Sequence, residues 1–179
     1  FEPGGRQQIL PPSQVYSGEP VSDALTPEEA QRVLGTQVCL WGEFTPTPEH
    51  AEYMLYPRTL ANAEVGWSLP QNKSWKRFQA SVGAHFKHLE KWKVNYSKSM
   101  YNVFASYAVN LLDKEAMVYL FNETVGFDIY YTLNGDDPSI RSRKYDGIFK
   151  APLRRNVKAG LFDHEGNLLG KITEIRLKN

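Results

Sequence analysis

The chain has 179 residues, of which 41% are hydrophobic and 13% aromatic, so it can bury a core in one ordinary domain or two small ones. Its 21 basic and 20 acidic residues are spread along the chain and leave a net charge of +1, which offers no basic face for a nucleic-acid partner. No apolar run approaches the about 20 residues of a membrane span, and no segment has the pattern of a signal peptide.

The single cysteine, Cys39, excludes a disulfide within the chain. This fits either a reducing compartment or a secreted bacterial protein that does not use disulfides. Its sequence neighbours are apolar and no histidine is close in sequence, so we expect the thiol to pack in a strand rather than to act as a nucleophile. The chain begins with Phe1 rather than Met, which indicates a processed, engineered or fragmentary product.

A short helix is predicted after an irregular, proline- and glycine-rich segment at residues 1–25. The stretch TPEEAQRVLG carries every signal for the ends of a helix. Thr26 is the N-cap, Pro27 occupies the first turn and Glu29 completes a capping box. Gly35 is the expected stop.

The stretch TQVCLWGEF, residues 36–44, predicts a buried strand directly after this helix. Because a strand alternates its faces, Trp41 and Glu43 should point to the same side. An aromatic ring beside a carboxylate is what a sugar site needs. A packed tryptophan with a satisfied carboxylate at a strand end would give the same pattern, and the residues alone leave both interpretations open.

Helices are predicted over most of residues 47–96. One begins at Thr47, and Pro57 must kink it or begin a second helical segment. The stretch SWKRFQASVGAHFKHLEKWKVNY predicts a long amphipathic helix, because its large apolar residues recur at steps of three and four. These residues are Trp75, Phe78, Val82, Phe86, Leu89 and Trp92. We expect the middle four of them to be buried in a core.

The period of the pattern changes from helical to two near residue 98, which predicts a domain boundary between residues 1–97 and 98–179. Six short strands separated by turn signals then predict a small antiparallel β-sandwich. Their sequences are YNVFASYAVNLL, AMVYLF, FDIYYTLNG, IFKAP, VKAGLFD and LLGKITEIRL. The predicted fold class is therefore α+β.

The motifs of the first part resemble glycoside hydrolase family 20, the β-N-acetylhexosaminidases. The resemblance covers about residues 15–96 and rests on four motifs in order and spacing. These are Trp41-x-Glu43, Tyr56-Pro57-Arg58, Ala63-Glu64 and Trp67-Ser68. It implies that residues 1–97 are the last strand and closing helices of a catalytic (β/α)8 barrel. The later stretches IYYTLNGDDPSIRSRKYDGIF and VKAGLFDHEGNLLGK resemble the small β domain that follows such barrels.

The resemblance implies that Trp41 and Glu43 bind substrate. The tryptophan would form part of the wall on which the terminal sugar stacks, and the glutamate would accept hydrogen bonds from its outer hydroxyls. Such roles are physically reasonable, since the C–H faces of a pyranose suit an aromatic plate and a desolvated carboxylate discriminates hydroxyl geometry. Arg58 and Glu64 also match family positions, where we expect them to orient and cap the closing elements rather than to touch sugar.

The chain lacks the adjacent Asp-Glu pair that the family uses for catalysis. The acidic pair Asp136 and Asp137 falls in a predicted turn, so we expect solvated side chains there. A (β/α)8 barrel also takes about 250 residues, and fewer than a hundred precede the sandwich. We therefore expect the C-terminal part of a hexosaminidase, with no catalytic residue in this chain and no activity when the chain is isolated.

The family resemblance further implies the partners and the surroundings of the protein. The expected partners are the terminal N-acetylhexosamine of glycans, released by substrate-assisted retaining hydrolysis, and the remainder of the catalytic barrel. No cofactor is implied, and the expected location is the periplasm or the exterior of a bacterium. No metal is expected either, because the four histidines have no metal-ligand spacing. They are His50, His85, His88 and His164.

The alternative function is a freestanding carbohydrate-binding or structural β module without catalysis. Aromatic residues of the second part would then offer a surface for stacking against sugar. They are Tyr130, Tyr131, Tyr145 and Phe149. The same residues alternate as core residues of a sandwich would.

Overall fold

The computed structural model describes residues 10–178 and divides the chain into two compact units, Phe1–Ser97 and Lys98–Asn179. The first is helical and the second consists of antiparallel sheets, so the α+β class is confirmed. Residues 1–9 of the predicted entry segment lie outside the described residues. In the described range, no helix combines the length and the apolar character needed to cross a membrane.

The first unit contains five α-helices among its described residues. They are α1 Pro12–Tyr16, α2 Pro27–Ala30, α3 Pro48–Leu55, α4 Arg58–Trp67 and α5 Trp75–Lys91. Two 3₁₀ turns, Gly42–Phe44 and Pro70–Asn72, lie between them. The helix α1 was not predicted, because a five-residue helix between prolines shows no periodicity.

The predicted N-terminal signals of α2 are confirmed, whereas the predicted stop at Gly35 is wrong. The backbone N–H of Glu29 donates to the Thr26 hydroxyl at 3.3 Å, and the Glu29 carboxylate accepts from the Thr26 N–H at 2.9 Å. The helix ends at Ala30 instead of continuing to Gly35. The predicted break at Pro57 is also confirmed, since it separates α3 from α4.

The strand predicted at residues 36–44 is not formed, so that prediction is wrong. Residues 33–41 have no regular secondary structure, and most of the segment is exposed. A strand needs a neighbour that satisfies its backbone N–H and C=O groups, and the described part of this unit contains no strand. Cys39 lies in this segment and is exposed, so its predicted packing is wrong as well.

The long helix α5 buries the apolar stripe that its sequence predicted. The relative exposure is 2% for Phe78, 0% for Val82, 7% for Phe86 and 4% for Leu89. Burial of these four residues is therefore confirmed. Trp92 caps the C-terminus of the helix and is 68% exposed, so it lies beyond the buried part of the stripe.

The second unit contains seven strands among its described residues. They are β1 Phe104–Asn110, β2 Glu115–Phe121, β3 Asp128–Thr132, β4 Arg143–Lys144, β5 Phe149–Pro152, β6 Asn156–Phe162 and β7 Thr173–Arg176. They form a three-stranded sheet in the order β1-β2-β5 and a four-stranded sheet in the order β4-β3-β6-β7. All pairings within the sheets are antiparallel. The six predicted strands are present, and only the two-residue β4 was missed.

The two sheets share one hydrophobic core. Alternate residues of β2 are buried, as period-two patterning requires, and they cluster with the buried residues of β6. The β2 residues are Ala116, Val118 and Leu120, and the β6 residues are Val157, Ala159 and Leu161. The unit is therefore a two-layer antiparallel sandwich.

Three of the four aromatic residues that could have formed a sugar-stacking surface, Tyr131, Tyr145 and Phe149, belong to this core or pack against it. Tyr131 is 8% exposed, and its ring stacks on Phe149 with a centroid distance of 4.1 Å. Tyr145 contacts the edge of Phe149 at 6.2 Å, and Tyr130 contacts Phe162 at 5.7 Å. These rings are engaged with one another, which disfavours the alternative of a freestanding stacking module.

Replacing Phe78 by alanine should destabilise the first unit by about 3–5 kcal/mol, because it removes a large buried ring that contacts Tyr16 and Trp75. The measurement is urea unfolding followed by tryptophan fluorescence. All four tryptophans precede residue 98, so the signal reports on this unit.

Trp92→Ala is the matched control, since it removes a larger ring of the same apolar stripe from an exposed position. It should change the free energy of unfolding by less than about 0.5 kcal/mol. Equal losses for the two variants would contradict the assignment of the core.

Candidate functional site

Trp41 and Glu43 lie at a tight turn that follows the extended segment. Trp41 has extended backbone angles, φ −91° and ψ 120°, and directly precedes the 3₁₀ turn Gly42–Phe44, in which Glu43 is the middle residue. The N–H of Thr45 donates to the Gly42 carbonyl at 3.1 Å, and its hydroxyl donates to the Trp41 carbonyl at 3.4 Å. These two hydrogen bonds close the turn and fix the backbone around Trp41 and Glu43.

The same-face arrangement predicted for the pair rests on strand alternation, which does not apply here. A 3₁₀ turn advances about 120° per residue, so residues two apart do not share a face as they do in a strand. Strand alternation fails at this pair because residues 33–41 have no strand to pair with in the described part of their unit. Trp41 and Glu43 are therefore neighbours at a turn and not alternate residues on one face of a strand.

Both side chains are accessible. The indole of Trp41 is 72% exposed, and Glu43 is exposed too. An indole with so much of its surface in water is not a core residue of this unit. Its flat apolar faces are available for contact with something outside residues 10–97.

Exposed apolar side chains continue along the segment that leads to the turn. Leu34 is fully exposed, and Val38, Leu40 and Phe44 are 44%, 39% and 45% exposed. We call residues 33–44 the apolar segment. A contiguous run of exposed apolar side chains of this kind is typical of a surface that another element covers.

Arg58 serves the fold of the unit. Its side chain is buried, and its Nε donates to the Leu10 carbonyl at 2.7 Å while Nη1 donates to the Met54 carbonyl at 3.0 Å. The guanidinium therefore caps the end of α3 and ties the chain entry to it. The expectation that Arg58 orients and caps the helices is confirmed.

Glu64 is likewise part of the scaffold. Its carboxylate accepts a 3.0 Å hydrogen bond from the Tyr16 hydroxyl, which itself accepts from the N–H of Ser74 at 2.7 Å. Burial raises the pKa of the Tyr16 hydroxyl, and the hydrogen bond to Glu64 adds to the rise. The hydroxyl therefore keeps its proton and joins α1, α4 and the start of α5.

The other acidic and metal-binding candidates are not organised into a site. The side chain of Asp136 is hydrogen-bonded to Asn134 at 2.6 Å, and Asp137 pairs with Lys158 at 2.7 Å, both in a turn after β3. Gly135 has φ +87° there, as the turn requires. Across residues 10–178, no three His, Cys, Asp or Glu side chains are grouped to hold a metal ion.

An open cleft in the second unit was not predicted. It has a volume of about 540 Å³, and three arginines line it: Arg141, Arg143 and Arg155. The only signal in the sequence was the basic run RSRK of residues 141–144. Such a run is equally typical of a solvated turn. Arg155 is distant from it in sequence, so a local pattern could not predict that the three arginines line one cleft.

Two family matches cover successive parts of the chain. Residues 2–70 match the catalytic domain of glycosyl hydrolase family 20. Residues 110–173 match the chitobiase/beta-hexosaminidase C-terminal domain. The first match includes Trp41 and Glu43, and the second includes the arginine-lined cleft.

Three bacterial relatives agree with these matches. A beta-hexosaminidase of Porphyromonas gingivalis is 28% identical over 146 residues, which is 80% of this chain and 18% of the relative. A beta-hexosaminidase of Akkermansia muciniphila is 35% identical over 69 residues, 38% of this chain and 14% of the relative. A beta-N-acetylhexosaminidase of Cellulomonas fimi is 33% identical over 70 residues, 39% of this chain and 14% of the relative.

The matched region thus spans less than a fifth of each of these relatives. The alignment with the Porphyromonas protein covers 146 of the 179 residues, so it includes parts of both structural units. In this chain the catalytic-domain match comes first and the C-terminal-domain match follows it. The chain is therefore similar over residues 2–70 to part of the catalytic domain of glycosyl hydrolase family 20, and over residues 110–173 to the chitobiase/beta-hexosaminidase C-terminal domain.

Proposed function

We propose that the chain is the C-terminal part of a beta-N-acetylhexosaminidase, an exo-glycosidase that releases terminal N-acetylhexosamine from glycans by substrate-assisted retaining hydrolysis. The observation that carries the proposal is the succession of the two family matches in one chain, catalytic domain first. The hexosaminidase names of the three relatives support it.

In this proposal the apolar segment, which forms no strand in this chain, pairs as the last strand of the catalytic barrel only when the remainder of the barrel is present. Its side chains are apolar yet exposed, and residues 33–41 lack strand partners within the described part of their unit. Strands supplied by the remainder of the barrel would satisfy its backbone groups and cover its side chains. Residues 1–97 are then the closing part of the barrel, and residues 98–179 are the β-sandwich domain that follows it in sequence.

Trp41 and Glu43 are the substrate-binding residues of the proposal. They stand at the turn that ends the apolar segment, and active sites of (β/α)8 barrels are built at the C-terminal ends of the strands. The exposed indole offers an apolar plate to the C–H face of a sugar ring, and the carboxylate accepts hydrogen bonds from its hydroxyls.

The catalytic carboxylates of the proposed reaction lie outside this chain, because its sequence contains no Asp-Glu pair. One carboxyl group would act as general acid and then as base, and the other would hold the acetamido group of the substrate, whose oxygen attacks the anomeric carbon. The residues present here hold the sugar in place for that attack. No cofactor takes part, and we infer a periplasmic or extracellular location in a bacterium.

The isolated chain should not hydrolyse a chromogenic N-acetylglucosaminide. Without the general acid and the acetamide-positioning carboxylate, the rate should fall by several orders of magnitude. The measurement is product release by purified chain against a buffer blank. A preparation of an unrelated protein from the same host controls for a contaminating hexosaminidase, and turnover above that control would contradict the assignment of the catalytic groups.

In the complete enzyme, Trp41→Ala should raise KM and lower kcat, reducing kcat/KM by about tenfold to a hundredfold, because the stacking wall helps to hold the sugar in its reactive geometry. Glu43→Gln should cost about tenfold, since a neutral amide replaces only part of the hydrogen bonds of the carboxylate. Steady-state kinetics and thermal melting are measured on the same preparations.

Arg58→Met is the matched control in that experiment. It leaves the carbonyl groups of Leu10 and Met54 without their donor, so it should reduce the free energy of unfolding by about 1–3 kcal/mol. Its kinetic constants in the folded fraction should stay close to those of the parent enzyme. If Trp41→Ala behaved like this control, with a large loss of stability and normal kinetics, Trp41 would be a packing residue.

A further inference from the structure

The second unit carries a cleft whose charge none of its own residues neutralises. It is an open space of about 540 Å³ lined by the end of β3, the residues around β4, Pro152 and Arg155. Three arginines line it, Arg141, Arg143 and Arg155, and no Asp or Glu residue of the described range does. The cleft therefore has a formal charge of +3.

The two acidic side chains of the turn after β3 each have a partner within the chain. Asp137 pairs with Lys158 at 2.7 Å, and Asp136 accepts a hydrogen bond from Asn134 at 2.6 Å. In the part of the chain that the structure describes, none of the three guanidinium groups takes part in an ion pair or hydrogen bond. Three like charges around one open cleft, with no carboxylate among its lining residues, favour an anionic ligand over a neutral one.

The backbone that presents the arginines is fixed by hydrogen bonds. Arg143 pairs with Tyr131 across β4 and β3. The turn before β4 is closed by the N–H of Ser142, which donates to the Ser139 carbonyl at 2.9 Å. The carbonyl of Arg155 accepts from the N–H of Leu177 at 3.0 Å. The three positions are thus held by the sheet, which lowers the cost of organising a binding site.

We propose that this cleft binds a sulfate or carboxylate group carried by a glycan. Guanidinium groups match the oxygens of both anions with two parallel hydrogen bonds, and the Ser142 hydroxyl keeps its own proton for a further one. Leu133 and Pro152 add apolar surface for the C–H face of a sugar. The preference for an anion rests on the cleft alone, whereas the choice of a glycan as its carrier rests on the proposed function.

The test is isothermal titration calorimetry of the full chain with four probes. These are a sulfated oligosaccharide, an oligosaccharide of uronic acids, a neutral N-acetylglucosamine oligomer and inorganic sulfate. At least one charged oligosaccharide should bind about tenfold or more tightly than both the neutral oligomer and inorganic sulfate. The comparison of the two charged oligosaccharides identifies the preferred anion.

A triple variant tests whether the arginines form the site. Arg141→Gln, Arg143→Gln and Arg155→Gln together should weaken binding of the preferred oligosaccharide by at least about tenfold. The matched control replaces Arg154, Lys171 and Arg176 by glutamine, which removes the same charge from exposed positions of the same unit that do not line the cleft. The control should change Kd by less than about threefold.

Several results would overturn the proposal. They are equal losses in the two triple variants, equal affinity for charged and neutral oligosaccharides, and inorganic sulfate binding as tightly as the sulfated sugar. If circular dichroism showed that the cleft variant had not folded, Arg143→Lys would replace it. That change keeps the charge but removes the paired hydrogen bonds, and it should still weaken binding by about threefold or more.

Binding is measured without hydrolysis, so this test and the kinetic test of the proposed function fail independently. If the chain bound no charged glycan while the complete enzyme released N-acetylhexosamine, only the cleft proposal would be contradicted. Binding of a charged glycan beside an inactive complete enzyme would remove the hexosaminidase proposal alone.

Discussion

The requirement that every backbone N–H and C=O group find a partner governs the part of the molecule that carries the candidate site. A helix satisfies this requirement within itself, whereas a strand depends on its neighbours. The helices of the first unit therefore form within residues 10–97, while the apolar segment at residues 33–44 stays without a sheet. Its exposed apolar side chains and the exposed Trp41 follow from the same cause.

Tyr16 joins the helices of the first unit, because its ring packs against α5 and its hydroxyl is hydrogen-bonded to α4 and to the start of α5. Its ring lies 5.0 Å from Phe78 and 5.4 Å from Trp75, and its hydroxyl links Glu64 to the backbone of Ser74. One side chain of the short α1 thus ties two longer helices to each other. Glu64 thus supports the scaffold through Tyr16, and Arg58, the other residue of a family motif, does so through its hydrogen bond to the Leu10 carbonyl.

Local patterns predicted the elements that depend on local physics. The capping box at Thr26 follows from residues only three positions apart. The buried stripe around Val82 and the alternating burial of β2 follow from the hydrophobic period of the sequence. The strand at residues 36–44 was predicted wrongly, because its formation depends on partners that a local pattern cannot supply. The cleft was missed for a related reason, since Arg155 joins Arg141 and Arg143 only through the pairing of strands far apart in sequence.

The exposure of Trp41 and Glu43 also bears on how much sugar affinity this chain has by itself. A carboxylate in water exchanges one set of hydrogen bonds for another when it binds a hydroxyl, so the net gain is small. The same contact becomes stronger and more selective when surrounding protein excludes water and lowers the local dielectric. In the proposed enzyme the remainder of the barrel would supply that enclosure along with the catalytic carboxylates. This chain thus supplies the two side chains, but how much they contribute to sugar binding depends on the remainder of the barrel that would enclose them.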